Sequence, residues 1–162
     1  MRNRMALFFL FRKEKKNMLK KTITYTDYDG MERTEDFWFN LSKTELTKLD
    51  AELPGGVLGV LRKIIDKKDR KALVDFIETL ILRSYGEKTL DGKRFVKTPD
   101  MAEEFMQTPA YDELFMSILS DTDSQTNFIN GVIPQSMAKE IEQTDKKQVE
   151  NALAEQGLHV KL

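Results

Sequence analysis

The stretch Ala72–Arg83, ALVDFIETLILR, places apolar residues at Leu73, Phe76, Ile77, Leu80 and Ile81. That is the i, i+3, i+4, i+7, i+8 series of a helix that buries one face. A strand repeats every two residues and cannot carry it. The series recurs at Tyr111, Leu114, Phe115, Ile118 and Leu119. Neither stripe can stay exposed, so the two must meet each other or a shared sheet face. The expected class is α+β, predominantly helical, with an N-terminal β-hairpin packed on a bundle of about six helices. The expected core draws on Leu73, Phe76, Ile77, Leu80, Tyr111, Leu114, Phe115 and Ile118.

Working outward, the helix boundaries follow from capping chemistry. Ser42 and Glu45 have the spacing of a capping box, flanked by Leu41 and Leu46 as a hydrophobic staple. Pro54-Gly55-Gly56 ends that helix, and Val57–Ile65 forms a short apolar one. The charged run Asp66–Lys71 reads as a solvated loop or a helix start. Tyr85-Gly86 ends the central helix, with Gly86 as a left-handed cap. Thr98-Pro99 and Thr108-Pro109 each set a capping hydroxyl before a proline at the first helical position. Thr122 with Gln125 caps a helix bearing Phe128 and Ile129, which Asn130-Gly131 stops. Two Asp-Gly pairs mark hairpins. Asp29-Gly30 lies between Lys21–Tyr28 and Met31–Asn40, and Asp91-Gly92 lies within Thr89–Lys97. Phe37, Trp38 and Phe39 are expected to anchor the first ribbon on the helices.

The chain of 162 residues carries 26 Lys+Arg, 27 Asp+Glu, one His and no Cys. Disulfides, thiolate nucleophiles and Cys-ligated zinc are excluded, and a lone His159 makes a triad or multi-His metal site implausible. No Gly-rich phosphate motif is present. Asp121-Thr122-Asp123-Ser124 resembles the front of a calcium loop but lacks Gly at position 6 and Glu at position 12, so it reads as a capped helix start. The pairs Glu103-Glu104 and Asp112-Glu113 fall on polar helix faces. Lys67-Lys68-Asp69-Arg70-Lys71 is basic but interrupted by acid in an acidic body, which argues against nucleic-acid binding. These readings leave no catalytic residue, cofactor or metal ligand to assign. Met101, Met106, Met116 and Met137 are adaptable apolar residues suited to a binding surface, although core packing is the more ordinary role for any one of them.

Three parts are expected: 1–17, a single globular domain over 18–141, and a weakly ordered helical tail over 142–162. Residues 1–20 hold seven basic residues and one acid, against 19 basic and 26 acidic in 21–162. The apolar run Met5–Phe11 is far shorter than the about 20 residues of a membrane span. Arg12–Asn17 can be encoded almost wholly in purines and stands directly before Met18, as a translated ribosome-binding site would. Residues 1–17 are therefore expected to be an upstream overrun, or else a disordered basic arm. At the other end, deleting residues 142–162 is expected to spare the unfolding transition and weaken partner capture.

Three stretches carry a family resemblance. They are Ser84-Tyr85-Gly86 followed by Asp91-Gly92-x-x-Phe95, then Thr108-x-Ala110-Tyr111-x-Glu113-Leu114-Phe115, and Phe128-Ile129-Asn130-Gly131-x-Ile133-Pro134. Over roughly residues 21–138 the chain resembles the phage tail assembly chaperones, small proteins encoded among tail genes. The resemblance implies a non-enzymatic protein of the host bacterial cytoplasm. It would bind the long tape-measure protein, recruit tail-tube subunits and leave before the virion is complete. A longer form made by ribosomal frameshifting is also implied; self-association stays open, and no nucleic acid or membrane partner is expected. The expected partner contacts are Met106, Met116, Phe128, Met137, Ile141, Val149 and Leu153. The alternatives are a structural virion protein (tail-tube or connector), whose hairpin lends a strand to a neighbour, and a small regulator of one host protein.

Overall fold

A computed structural model describes residues 18–133. The expected contacts Met137, Ile141, Val149 and Leu153, and the expected boundaries at 17 and 141, lie outside the described residues.

Strands β1 (Leu19–Thr26) and β2 (Glu32–Phe39) pair antiparallel from Leu19↔Phe39 to Thr26↔Glu32. The turn closes as expected from Asp-Gly. The Gly30 N–H donates to the Asp27 carbonyl, and Gly30 takes φ +82°, where a side chain would be strained. Asp27 braces this turn, accepting from the Asp29 and Met31 amides and from Arg33 Nε at 2.6 Å.

Helices α1 (Lys43–Glu52), α2 (Gly56–Asp66) and α3 (Arg70–Ser84) follow, then strands β3 (Tyr85–Lys88) and β4 (Phe95–Val96). Helices α4 (Pro99–Met106), α5 (Pro109–Ser120) and α6 (Thr122–Val132) complete the described chain. The four strands form one antiparallel sheet in the order β1-β2-β3-β4. The fold is thus α+β and predominantly helical. The Ser42–Glu45 capping box is present, and Thr98 and Thr108 cap α4 and α5 ahead of their prolines. The two stripes meet: α3 packs on α5. Of the eight expected core residues, Leu73 and Phe115 are half-buried against the core and the other six are buried.

An aromatic cluster joins sheet to helices. Phe39 meets Phe128 edge-on at 5.5 Å, Tyr85 stacks on Phe105 at 4.2 Å, and Phe105 meets Tyr111 edge-on at 5.6 Å. Such pairs add directionality to what area burial alone supplies.

Four local expectations are corrected. Gly86 is a strand residue rather than a left-handed cap. An added Cβ there would stand 2.6 Å from the Val96 carbonyl oxygen, so glycine serves close approach. Gly131 lies inside α6, where a Cβ would meet Leu19 Cδ1 at 2.9 Å; the helix passes through it and is capped at Ile133. The N-cap of α6 is Asp121, which accepts from the Asp123 and Ser124 amides, rather than Thr122 with Gln125. Trp38 does not anchor the ribbon on the helices. Neighbouring strand residues point to opposite faces, so Phe37 and Phe39 turn inward while Trp38 faces away, half-buried.

Candidate functional site

Helix α3 has more apolar surface than its core stripe uses. Leu82 sits one position beyond that stripe and stays half-buried. Beside it, the C-terminal half of α3, helix α1 and the first turn of α4 enclose a cleft of about 660 Å³. Leu41, Leu49, Leu82, Tyr85, Pro99 and Ala102 supply its apolar lining, and Glu45, Lys48, Glu78, Arg83 and Lys97 its charged rim.

The rim is held by the ends of the elements that form it. Glu45, the third residue of α1, accepts from the Ser42 amide at 2.9 Å and from Lys97 Nζ at 2.7 Å. Lys97 Nζ also donates to the Asn40 carbonyl, so one ammonium ties the end of β2, the start of α1 and the entry to α4. Burial raises the Glu45 carboxyl, but the hydrogen bonds from Lys97 and the Ser42 amide outweigh it and hold the group below its ordinary 4.5. Burial also pushes Lys97 below its ordinary 10.5, against the pull of Glu45. For the lysine, then, desolvation exceeds the ion-pair gain, and the contact is chiefly a positioning device. Across the cleft Arg83 Nη2 reaches Glu52 in a half-exposed pair, worth little stability by itself.

The arrangement offers an apolar trough with fixed charges on its walls, suited to one face of an amphipathic helix. Among the described residues no group of three or more His, Cys, Asp or Glu could hold a metal ion, and no buried side-chain polar atom lacks a hydrogen-bond partner. Among them, too, no helix is long and apolar enough to cross a membrane.

Of the expected partner contacts, the three among the described residues, Met106, Met116 and Phe128, do not line this cleft. Met106 ends α4 at 39% exposure, and Met116 is 60% exposed on the outer side of α5. Phe128 is corrected: it is fully buried against Phe39 and has no surface to offer a partner. Its neighbours Ile129 and Val132 belong to the same packing, which an apolar helix behind a sheet requires. The cleft residues went unnoticed in the sequence because they come from three elements. The one local signal was Leu82, an apolar residue off the core stripe, spaced three and four from Thr79 and Glu78.

A family model described as phage tail assembly chaperone matches residues 18–161. No curated protein and no solved structure matches the chain. The match covers well over half of the sequence, includes all three motif stretches and spans every element that builds the cleft. The chain belongs to the phage tail assembly chaperone family.

Proposed function

We propose that this chaperone holds the tape-measure protein during tail assembly by seating an apolar helical face of it in the α1–α3–α4 cleft. The observation that carries this reading is the apolar trough beside Leu82, left open by the core and bordered by fixed charges. A tape-measure protein is long and helical, with apolar stripes that must stay covered until the tube polymerises around it. The occupied chaperone then recruits tail-tube subunits and departs before the virion is complete. It works in the host cytoplasm by binding, without catalysis. Residues 18–141 act as the folded unit and residues 142–162 as an appendage that adds to partner capture.

Co-expression with the tape-measure protein tests the reading. Leu82→Glu and Ala102→Glu place a carboxylate in the trough from half-buried positions. Each is expected to reduce recovery of soluble tape-measure protein about tenfold or more, the scale of losing a central contact, while the unfolding transition stays cooperative. Full recovery with both variants would move the binding site elsewhere. Mass spectrometry separates the main alternative: a chaperone is present in the lysate and missing from purified particles, whereas a tail-tube or connector subunit persists in the particles.

A further inference from the structure

The only tryptophan of the chain sits outside the core. Trp38 lies on the face of the sheet turned away from the helices. Besides Lys20, the residues sharing that face on β1 and β2, Thr22, Thr24, Thr26, Glu32, Thr34 and Asp36, are all exposed, with Glu32 at the far end of the ribbon from Trp38. Two lysines from neighbouring strands converge on the indole: Lys20 of β1 at 5.8 Å and Lys88 of β3 at 5.3 Å from the ring centroid. Beside Trp38 in the register is Gly86, whose missing Cβ leaves room for the Phe95 ring from β4. Phe95 pairs with Lys88, so it stands on the same face. The result is two rings on one face, Trp38 on β2 and Phe95 on β4, with Lys88 on β3 between them and Lys20 on β1 outside, the two lysines on strands two spacings apart, roughly 10 Å.

Nothing in the packing of the domain calls for this arrangement. The ribbon is already anchored from its other face by Phe37, Phe39 and Tyr85. A large ring left half-exposed between two cations is a surface that gains by burial, provided the incoming group also satisfies the cations. We propose that this sheet face is a second docking surface, which takes an acidic segment of a partner protein: an apolar side chain seats on Trp38 and Phe95, and flanking carboxylates replace water at Lys20 and Lys88. Asp36, 3.5 Å from Lys20, already pairs with one of the two cations and sets its position rather than neutralising the face. A carboxylate-bearing partner is favoured over a phosphate backbone. The described body carries more acid than base, and a polyanion would meet that field over its whole length. Lys97 of the cleft rim also stands 5.5 Å over the Phe95 ring, so the two surfaces meet there, while Trp38, Lys20 and Lys88 lie outside the cleft and can be altered without touching its lining.

Because Trp38 is the sole indole, its fluorescence reports on this face alone. The test titrates the full chain with a blocked peptide of alternating Glu and Leu, and in parallel with its Lys-for-Glu counterpart and with oligo-dT. Expected is a saturable change in Trp38 emission with the acidic peptide below about 1 mM, absent with the basic one. The apparent affinity should weaken about tenfold in Lys20→Ala/Lys88→Ala and at high salt. Calorimetry on Trp38→Ala should show the same loss without relying on the reporter. No saturable change, or one that survives the double lysine variant, would overturn the proposal. Tighter binding of oligo-dT than of the acidic peptide would overturn it too, and assign the face to nucleic acid.

Discussion

At Gly86 an added Cβ would crowd the Val96 carbonyl oxygen at 2.6 Å, the Phe95 ring at 2.7 Å and Lys97 Cγ at 2.9 Å. At Gly131 the three nearest atoms all belong to the Leu19 side chain, the first at 2.9 Å. The two glycines therefore differ in what must yield. A leucine tip can rotate; a carbonyl fixed in the β3–β4 ladder cannot. Gly86→Ala is expected to cost about 2 kcal/mol and Gly131→Ala about 1 kcal/mol or less, within the range for overpacking. Urea unfolding of both variants checks the order, and a costlier Gly131→Ala would mean that the sheet adapts more readily than the α6–β1 contact. Both positions read as helix punctuation in the sequence, because a glycine that makes space and one that permits a turn look the same in a single chain. Trp38 was misread for a related reason. Three successive aromatics, Phe37-Trp38-Phe39, mark a strand with both faces apolar but do not say which face meets the helices.

At the scale of elements, helix starts were legible because a cap is a local event. Ser42 accepts from the Glu45 amide while the Glu45 side chain accepts from the Ser42 amide, all within four residues. Sequence reading could not foresee that the same Glu45 carboxylate also takes Lys97, 52 residues away. The cap of α1 is thereby coupled to the entry of α4. Ser42→Ala is expected to cost about 1 kcal/mol, the ordinary value of a lost cap. Lys97→Met should cost more than an exposed ion pair would, since it leaves the Asn40 carbonyl and Glu45 without their shared donor. A double-mutant cycle read by urea denaturation should give a coupling energy of at least about 0.5 kcal/mol between them. Strict additivity would mean that cap and lysine act on Glu45 independently. The cleft was illegible for the same reason as this coupling: its walls come from α1, α3 and α4, and only the fold brings them together.

For the whole molecule, the titrating groups set a window of stability whose two edges have different origins. On the acid side Asp27 is held low by Arg33, Asp36 by Thr22, Asp91 by Thr89 and Asp121 by Ser124, all below their ordinary 3.8. Glu45 joins them because its hydrogen bonds outweigh its burial. Carboxyls depressed in the fold contribute stability above their unfolded values, and that contribution is lost as the pH falls through their folded ones. The alkaline edge belongs to phenols. Tyr25 is raised by its hydrogen bond to Glu35, Tyr85 by burial, and Tyr111 by burial, helped by Glu78 and Asp112, to about 12. Raised in the fold, these groups contribute fully below pH 10, and their share is lost as the pH rises through the folded values. Lys97 has the opposite sign: depressed by burial, it sheds its proton earlier in the folded chain, so its contribution to stability grows with pH. Lys71, held up by its hydrogen bond to Asp75, falls on the side of the three phenols, so the depressed Lys97 ammonium stands against four groups and the alkaline fall is expected to prevail. The urea midpoint is therefore expected to be flat between about pH 6 and pH 9, and to fall both below about pH 4 and above about pH 10. Circular dichroism follows it without interference from tyrosinate quenching of Trp38. Tyr111→Phe keeps the ring in its contacts with Phe105 and Phe115 while removing the most strongly shifted phenol. It should leave the neutral midpoint nearly unchanged and flatten the alkaline fall. A midpoint that climbs from pH 9 to pH 11 in the parent chain would mean that Lys97, not the phenols, governs that edge.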